Sequence, residues 1–151
     1  DKRTVKKGNG LKIIAIESEF ENKIRESGVE YKIKGKIDRI DELNGEVRVI
    51  DYKSGKKLRQ RNITIKESEE LTKEKGIYNL QLLIYMLGIK EEFKEKTIKS
   101  GIINLKNISE GVLEGVFNGK TVLNNTEMEN YKNEIIKIIT NILDTRKVFK
   151  N

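Results

Sequence analysis

Asp38, Asp51 and Lys53 are the residues whose types and spacing could do chemistry together. Two alternating segments, 30–42 and 46–53, flank Asn44-Gly45. Asn-Gly in that setting predicts a two-residue hairpin turn, because both residues tolerate positive φ. Leu43 then faces Glu46, Ile40 faces Val49, and Asp38 lies directly opposite Asp51. Directly opposed residues have Cβ atoms about 4.5–5.5 Å apart, and two carboxylates at that range repel by about 3 kcal/mol at an effective dielectric near 20. A hairpin selected for stability alone would not choose this pair, whereas a divalent cation converts the repulsion into attraction. Alternation puts Lys53 on the face of Asp51, with Val47 and Val49 beneath and Ile40 across. The ammonium could orient or deprotonate a metal-bound water, or hold a phosphate oxygen. That convergence suits phosphodiester hydrolysis. On the opposing reading Asp38 and Asp51 are surface carboxylates paired to Arg39 or Lys36, and a one-residue slip in register would send Asp38 to the other face.

Composition narrows the chemistry further. The 151 residues contain no Cys and no His, which excludes thiolate zinc sites, Cys nucleophiles, His-based triads and an iron–sulfur cluster within this chain. A metal must be held by oxygen, which favours Mg²⁺, with Mn²⁺ or Ca²⁺ as alternatives. Lys and Arg number 31 against 24 Asp and Glu, a net charge of +7, compatible with a polyanionic partner or with a merely solvated lysine-rich surface. No stretch approaches the roughly 18 apolar residues of a membrane span, and no apolar segment follows the charged N-terminus as a secretory signal requires. A cytoplasmic location is therefore expected. The length fits one domain, 1–151, and the missing initiator Met suggests a fragment of a longer protein.

The elements that must position these residues follow from periodicity. Residues 11–20 read as a central strand, followed by the 30–42 and 46–53 hairpin. Residues 55–75 are highly charged with little periodicity and read as a long, mobile loop. Ile77, Leu80, Ile84 and Leu87 recur at helical spacing and predict a helix ending near Gly88. Residues 97–105 and 111–118 read as two further strands. Thr126 with Glu129 has the form of a capping box, opening a helix with Met128, Tyr131, Ile135, Ile138 and Ile142 on one stripe. The order β-β-β-α-β-β-α describes an α/β domain with a mixed sheet of about five strands flanked by helices.

Three segments carry a family likeness: Gly35 to Asp41, Val49 to Gly55, and Leu80 to Tyr85. Their sequences GKIDRID, VIDYKSG and LQLLIY resemble, in order and at family-like spacing, the RecB-type branch of the PD-(D/E)XK nucleases. The nearest likeness is to the nuclease domain of the AddB subunit of bacterial helicase–nuclease complexes. The resemblance implies a restriction-endonuclease-like core in which Asp38, Asp51 and the main-chain carbonyl of Tyr52 ligate Mg²⁺. It implies Lys53 as the catalytic lysine, with Gln81 and Tyr85 supporting the site and contacting DNA. It also implies an exonuclease fed by a helicase, serving recombination and double-strand-break repair.

This chain departs from the family in two respects. The usual upstream helix with its His or Glu is missing; Glu17 and Glu19 are the only nearby acids, and Glu17 is the candidate substitute or supporting group. The cysteines that bind an iron–sulfur cluster in many AddB-type domains are absent. Lys56, Lys57, Arg59 and Arg61 follow the active-site strand and fit a DNA path as well as they fit a solvated loop. Two other readings stay open: a catalytically silent DNA-binding scaffold of the same fold, and a phage or CRISPR-adaptation nuclease of the same superfamily.

Overall fold

The computed structural model describes residues 10–144. Asn44 and Gly45 have φ of 53° and 84°, and the tight turn they form joins strand β2 (Val29–Leu43) to β3 (Glu46–Lys53). Leu43 pairs with Glu46 and Ile40 with Val49, in the register the turn predicts. The same chemistry recurs one turn earlier. Ser27 and Gly28, with φ of 50° and 76°, close a hairpin between β1 (Leu11–Glu26) and β2. The first strand therefore runs past Phe20 to Glu26. The charges beyond residue 20 face one another across the hairpin: Glu21 contacts Lys34 at 3.2 Å and Arg25 contacts Glu30 at 3.3 Å.

Helix α1 (Ile77–Ile89) returns the chain from β3 to β5 (Ile98–Asn104), which lies parallel to β3. Antiparallel β6 (Val112–Glu114) completes a mixed five-stranded sheet in the order β1-β2-β3-β5-β6. The expected strand 111–118 is broken. Gly115 donates its N–H to Ser100 O at 2.9 Å, and β7 (Val116–Phe117) leaves to pair with β4 (Thr64–Ile65) in a second, two-stranded sheet. A Cβ at Gly115 would lie 2.7 Å from Ser100 Oγ, so the bend closes on a position without a side chain.

Residues 54–76 are a packed segment rather than a loose loop. Leu58, Ile63, Ile65 and Leu71 are buried to 2% exposure or less. The chain there makes short 3₁₀ turns at Gln60–Ile63, Ser68–Thr72 and Glu74–Gly76. Apolar residues five, two and six positions apart match neither a strand nor a helix period, which is why periodicity is silent here.

Helix α1 is apolar nearly all round, so its spacing singled out the wrong stripe. Leu82, Leu83, Met86 and Ile89 are its buried aliphatic residues, while Ile77 is 58% exposed. Gly88 lies inside the helix and does not cap it. A Cβ there would stand 2.5 Å from the Phe20 ring, and a Cβ at Gly35 would stand 2.5 Å from the same ring. Phe20 thus lies in a notch between two glycines, one on the helix and one on β2. Helix α2 (Asn125–Leu143) is capped by Asn124, whose side chain accepts from Glu127 N–H at 2.8 Å while Glu127 reaches back to Asn124 N–H. The capping box lies two residues earlier than Thr126 and Glu129 suggested, because Asn competes well with Thr at an N-cap. Met128 and Ile135 of its stripe are buried and Ile142 is exposed. Both helices pack with Ile40, Val47, Val49 and Ile102 on one face of the sheet. Among the described residues no helix is long and apolar enough to cross a membrane.

Gly88→Ala should lower unfolding free energy by about 1–3 kcal/mol through overpacking against Phe20, despite the helix-propensity gain of about 1 kcal/mol. Urea denaturation checks this, and adding Phe20→Leu should recover part of the loss. A Gly88→Ala protein more stable than wild type would contradict the notch.

Candidate active site

The β2–β3 ladder ends at Arg39 opposite Ile50, and Asp38 and Asp51 are the next residues out. Asp38 is half-buried, and its Oδ2 accepts the main-chain N–H of Tyr52 at 2.8 Å. Its carboxylate is therefore tied to the strand that carries Asp51. Val47 and Val49 are fully buried beneath, Asp51 is 3% exposed, and Lys53 stands at the strand's end, half-buried. Neither basic residue of the opposing reading reaches Asp38 as its partner. Arg39 pairs with Asp41 at 2.9 Å on the far face, and Lys36 pairs with Glu17 at 3.3 Å.

Helix α1 supplies the second wall. Gln81 and Tyr85, one turn apart, share a helix face. Gln81 Oε1 accepts from Lys53 Nζ at 2.8 Å, and its Nε2 donates to Asp51 Oδ1 at 3.3 Å and to the Tyr85 hydroxyl at 2.8 Å. The amide has only one workable orientation, because an ammonium can only donate and a carboxylate can only accept. Tyr85, 9% exposed, packs edge-on against Phe20 with ring centroids 6.0 Å apart.

Burial raises the Asp51 carboxyl above the ordinary carboxylate range. Lys53 pulls it back in part, the Asp38 charge pushes it further up, and the Tyr85 hydroxyl eases it. Lys53 Nζ stands 2.9 Å from the buried Asp51 Oδ2, a charge-assisted contact that pulls the carboxyl down against its burial. Tyr85 is pushed up as well, first by burial, with Gln81 opposing and the two aspartates adding to the rise.

The remaining candidates separate into near and far. Glu17 lies in exposed chain at φ 53° and turns to Lys36 rather than to the Asp38–Asp51 pair; Glu19 is exposed too. Lys56, Lys57, Arg59 and Arg61 are all exposed on the segment leaving β3. Sequence reasoning missed Asn104, which pairs with Lys53 across β3 and β5 and is 1% exposed. Its Nδ2 donates to Lys56 O at 2.7 Å and its Oδ1 accepts Lys106 N–H at 3.0 Å, fixing both chain exits beside the site. No local pattern marks that residue, since its role depends on a parallel pairing formed across 51 residues. Tyr78 was also missed, although its spacing from Gln81 and Tyr85 (i, i+3, i+7) was a usable signal.

A model of the PD-(D/E)XK nuclease superfamily matches residues 1–149. The chain belongs to that superfamily. Its fold, a mixed five-stranded sheet with helices, is the restriction-endonuclease-like one, and membership implies a hydrolase with nuclease activity. The match reaches the superfamily and no finer branch of it. No curated protein matches the chain. The solved structure of SSO0001 is similar over 90% of this chain and 55% of that one, at 22% identity and a TM-score of 0.38. The chain thus spans about half the length of that protein.

PD-(D/E)XK nucleases generally use divalent metals such as Mg²⁺, and the residues here fit one. The side-chain donors are all oxygen, Asp51 is 3% exposed, and a second carboxylate stands close enough to perturb it. Among the described residues no three acidic side chains cluster as a protein-only cage. Two carboxylates, with water and substrate oxygens completing the shell, are a usual setting for Mg²⁺.

The raised Asp51 pKa sets a sign. The folded state favours the protonated carboxyl, so this contribution is fully present below the unfolded-state value near 3.8 and is lost as pH rises through the higher folded value. Asp51→Asn should therefore melt higher than wild type in EDTA at pH 7, with the gap shrinking towards pH 4. A divalent ion such as Mg²⁺ should stabilise wild type by about 1.4 kcal/mol at ten times its dissociation constant, and Asp51→Asn should lose that gain. A variant that melts lower at pH 7 would mean that the buried carboxylate is already compensated.

Proposed function

We propose that this domain is a Mg²⁺-dependent deoxyribonuclease whose reacting groups are Asp38, Asp51 and Lys53. The observation that carries the reading is the buried Asp51 carboxylate, paired with the Lys53 ammonium at 2.9 Å and perturbed by a second carboxylate, Asp38. Asp38, Asp51 and the Tyr52 carbonyl would hold the ion. When bound, the ion would offset the charge that develops on phosphorus and acidify the attacking water. Lys53 presents N–H donors that can hold a phosphate oxygen or orient that water. Gln81 fixes where the amine points, and Tyr85 fixes Gln81.

Lys56, Lys57, Arg59 and Arg61 leave the site on the strand that carries Lys53 and would lead the phosphate backbone away from it. The likeness of the three motifs to RecB-type nucleases, and to AddB nuclease domains in particular, supports a narrower assignment. In it the domain is a cytoplasmic exonuclease acting on DNA supplied by a helicase domain or subunit, in recombination and double-strand-break repair.

Asp51→Ala and Lys53→Ala should each reduce Mg²⁺-dependent hydrolysis of single-stranded DNA by about a hundredfold or more, with DNA binding in EDTA retained. Cleavage by Lys53→Ala at the wild-type rate would sink the assignment. The double change Lys56→Ala, Lys57→Ala should flatten the plot of log affinity against log salt by about 1.4 on single strands.

A further inference from the structure

The Lys53 ammonium has a third neighbour besides Asp51 and Gln81. Its Nζ stands over the Tyr78 ring, 5.7 Å from the centroid, within the range at which a cation is drawn to an aromatic face. Tyr78 lies on the first turn of α1, on the face that carries Gln81 and Tyr85. Its place is fixed on both sides. Two residues earlier, a Cβ at Gly76 would stand 2.0 Å from the Glu70 carbonyl oxygen, so the helix start is docked directly on the 68–72 turn. One residue later, fully buried Asn79 donates to Ile63 O at 3.0 Å and to Val116 O at 3.1 Å. The ring is held half-buried between these anchors.

We propose that Tyr78 is a positioning residue for Lys53, its ring holding the amine alongside Gln81. This rests on the reading of Lys53 as the reacting amine. A lysine side chain has a flexible four-carbon stem, and Lys53 is 27% exposed, so a single hydrogen bond leaves the ammonium free to swing. Asp51 is not a dependable restraint, because on that reading its carboxylate is also a ligand of the metal ion. The Gln81 amide and the Tyr78 ring are the two contacts that persist when Asp51 is engaged elsewhere. Tyr78 acts through Lys53, so losing the ring should lower the rate of the chemical step and leave affinity for DNA alone.

Two variants separate this from packing. Tyr78→Met removes the ring but keeps apolar bulk, and Tyr78→Phe keeps the ring without the hydroxyl. In metal-free protein labelled with ¹³C-lysine, the Lys53 ε-methylene signal, assigned by its loss in Lys53→Arg, should lie upfield of exposed lysines. It should return to their position in Tyr78→Met and stay upfield in Tyr78→Phe. With Mg²⁺ and single-stranded DNA, Tyr78→Met should lower kcat about tenfold with KM within twofold, and Tyr78→Phe should match wild type. An unshifted Lys53 signal in wild type overturns the proposal, as does a Tyr78→Met protein with unchanged kcat. A rise in KM alone overturns it too, since the ring would then touch DNA instead. If the signal behaves as expected but wild type cleaves nothing, the contact stands and the nuclease assignment falls.

Discussion

Keeping the Asp51 carboxylate out of water is the constraint on which the rest of the structure depends. At 3% exposure an uncompensated charge costs several kcal/mol, far beyond what an exposed pair at the same spacing would. The two arginines of the far face and Lys36 do not relieve this. Arg39 is spent on Asp41 and Tyr52, Arg48 on Asp41, and Lys36 on Glu17. Lys53 and the Gln81 amide remain, one beside each Asp51 oxygen. A second carboxylate, Asp38, close enough to push the Asp51 carboxyl up, works against that compensation.

Holding that arrangement is a mechanical task, and it begins with a ring that touches none of the reacting groups. Phe20 fits between Gly35 and Gly88 and meets Tyr85 edge-on. Tyr85 holds Gln81, and Gln81 holds both Lys53 and Asp51. The two notches let α1 approach the hairpin closely enough for this relay, since a methyl group at either glycine would press the ring out. Every member of the relay sits on a strand or a helix, so its precision comes from packing.

How much of this could be read from the chain depends on the range of the interaction concerned. The β2–β3 register was legible because Asn44-Gly45 sets it locally, and with it the convergence of Asp38, Asp51 and Lys53. Ser27-Gly28 carried the same signal and went unread beside a heavily charged strand. The packed segment 54–76 was illegible because Leu58, Ile63, Ile65 and Leu71 pack irregularly against distant elements. In α1 an almost uniformly apolar sequence hid the buried stripe, and Gly88 looked like a helix end because its reason for being glycine, Phe20, lies 68 residues away. Glu17 was chosen as a substitute acid by proximity in sequence, but a positive φ and Lys36 turn it aside.

The far face of the sheet explains why the strand ends do not fray at the point where chemistry needs them fixed. Asp41, fully buried, accepts two bonds from Arg48 at 2.6 and 3.0 Å and pairs with Arg39 at 2.9 Å. Arg39 in turn donates to the Tyr52 hydroxyl at 2.9 Å and lies over its ring at 5.7 Å. Tyr52 is thereby gripped twice: its side chain by Arg39 on one face, its N–H by Asp38 at the strand edge. Asp51 and Lys53 flank it, so their backbone is fixed by contacts that involve neither side chain. Two guanidiniums against one carboxylate also leave a net positive charge behind the Asp38–Asp51 pair.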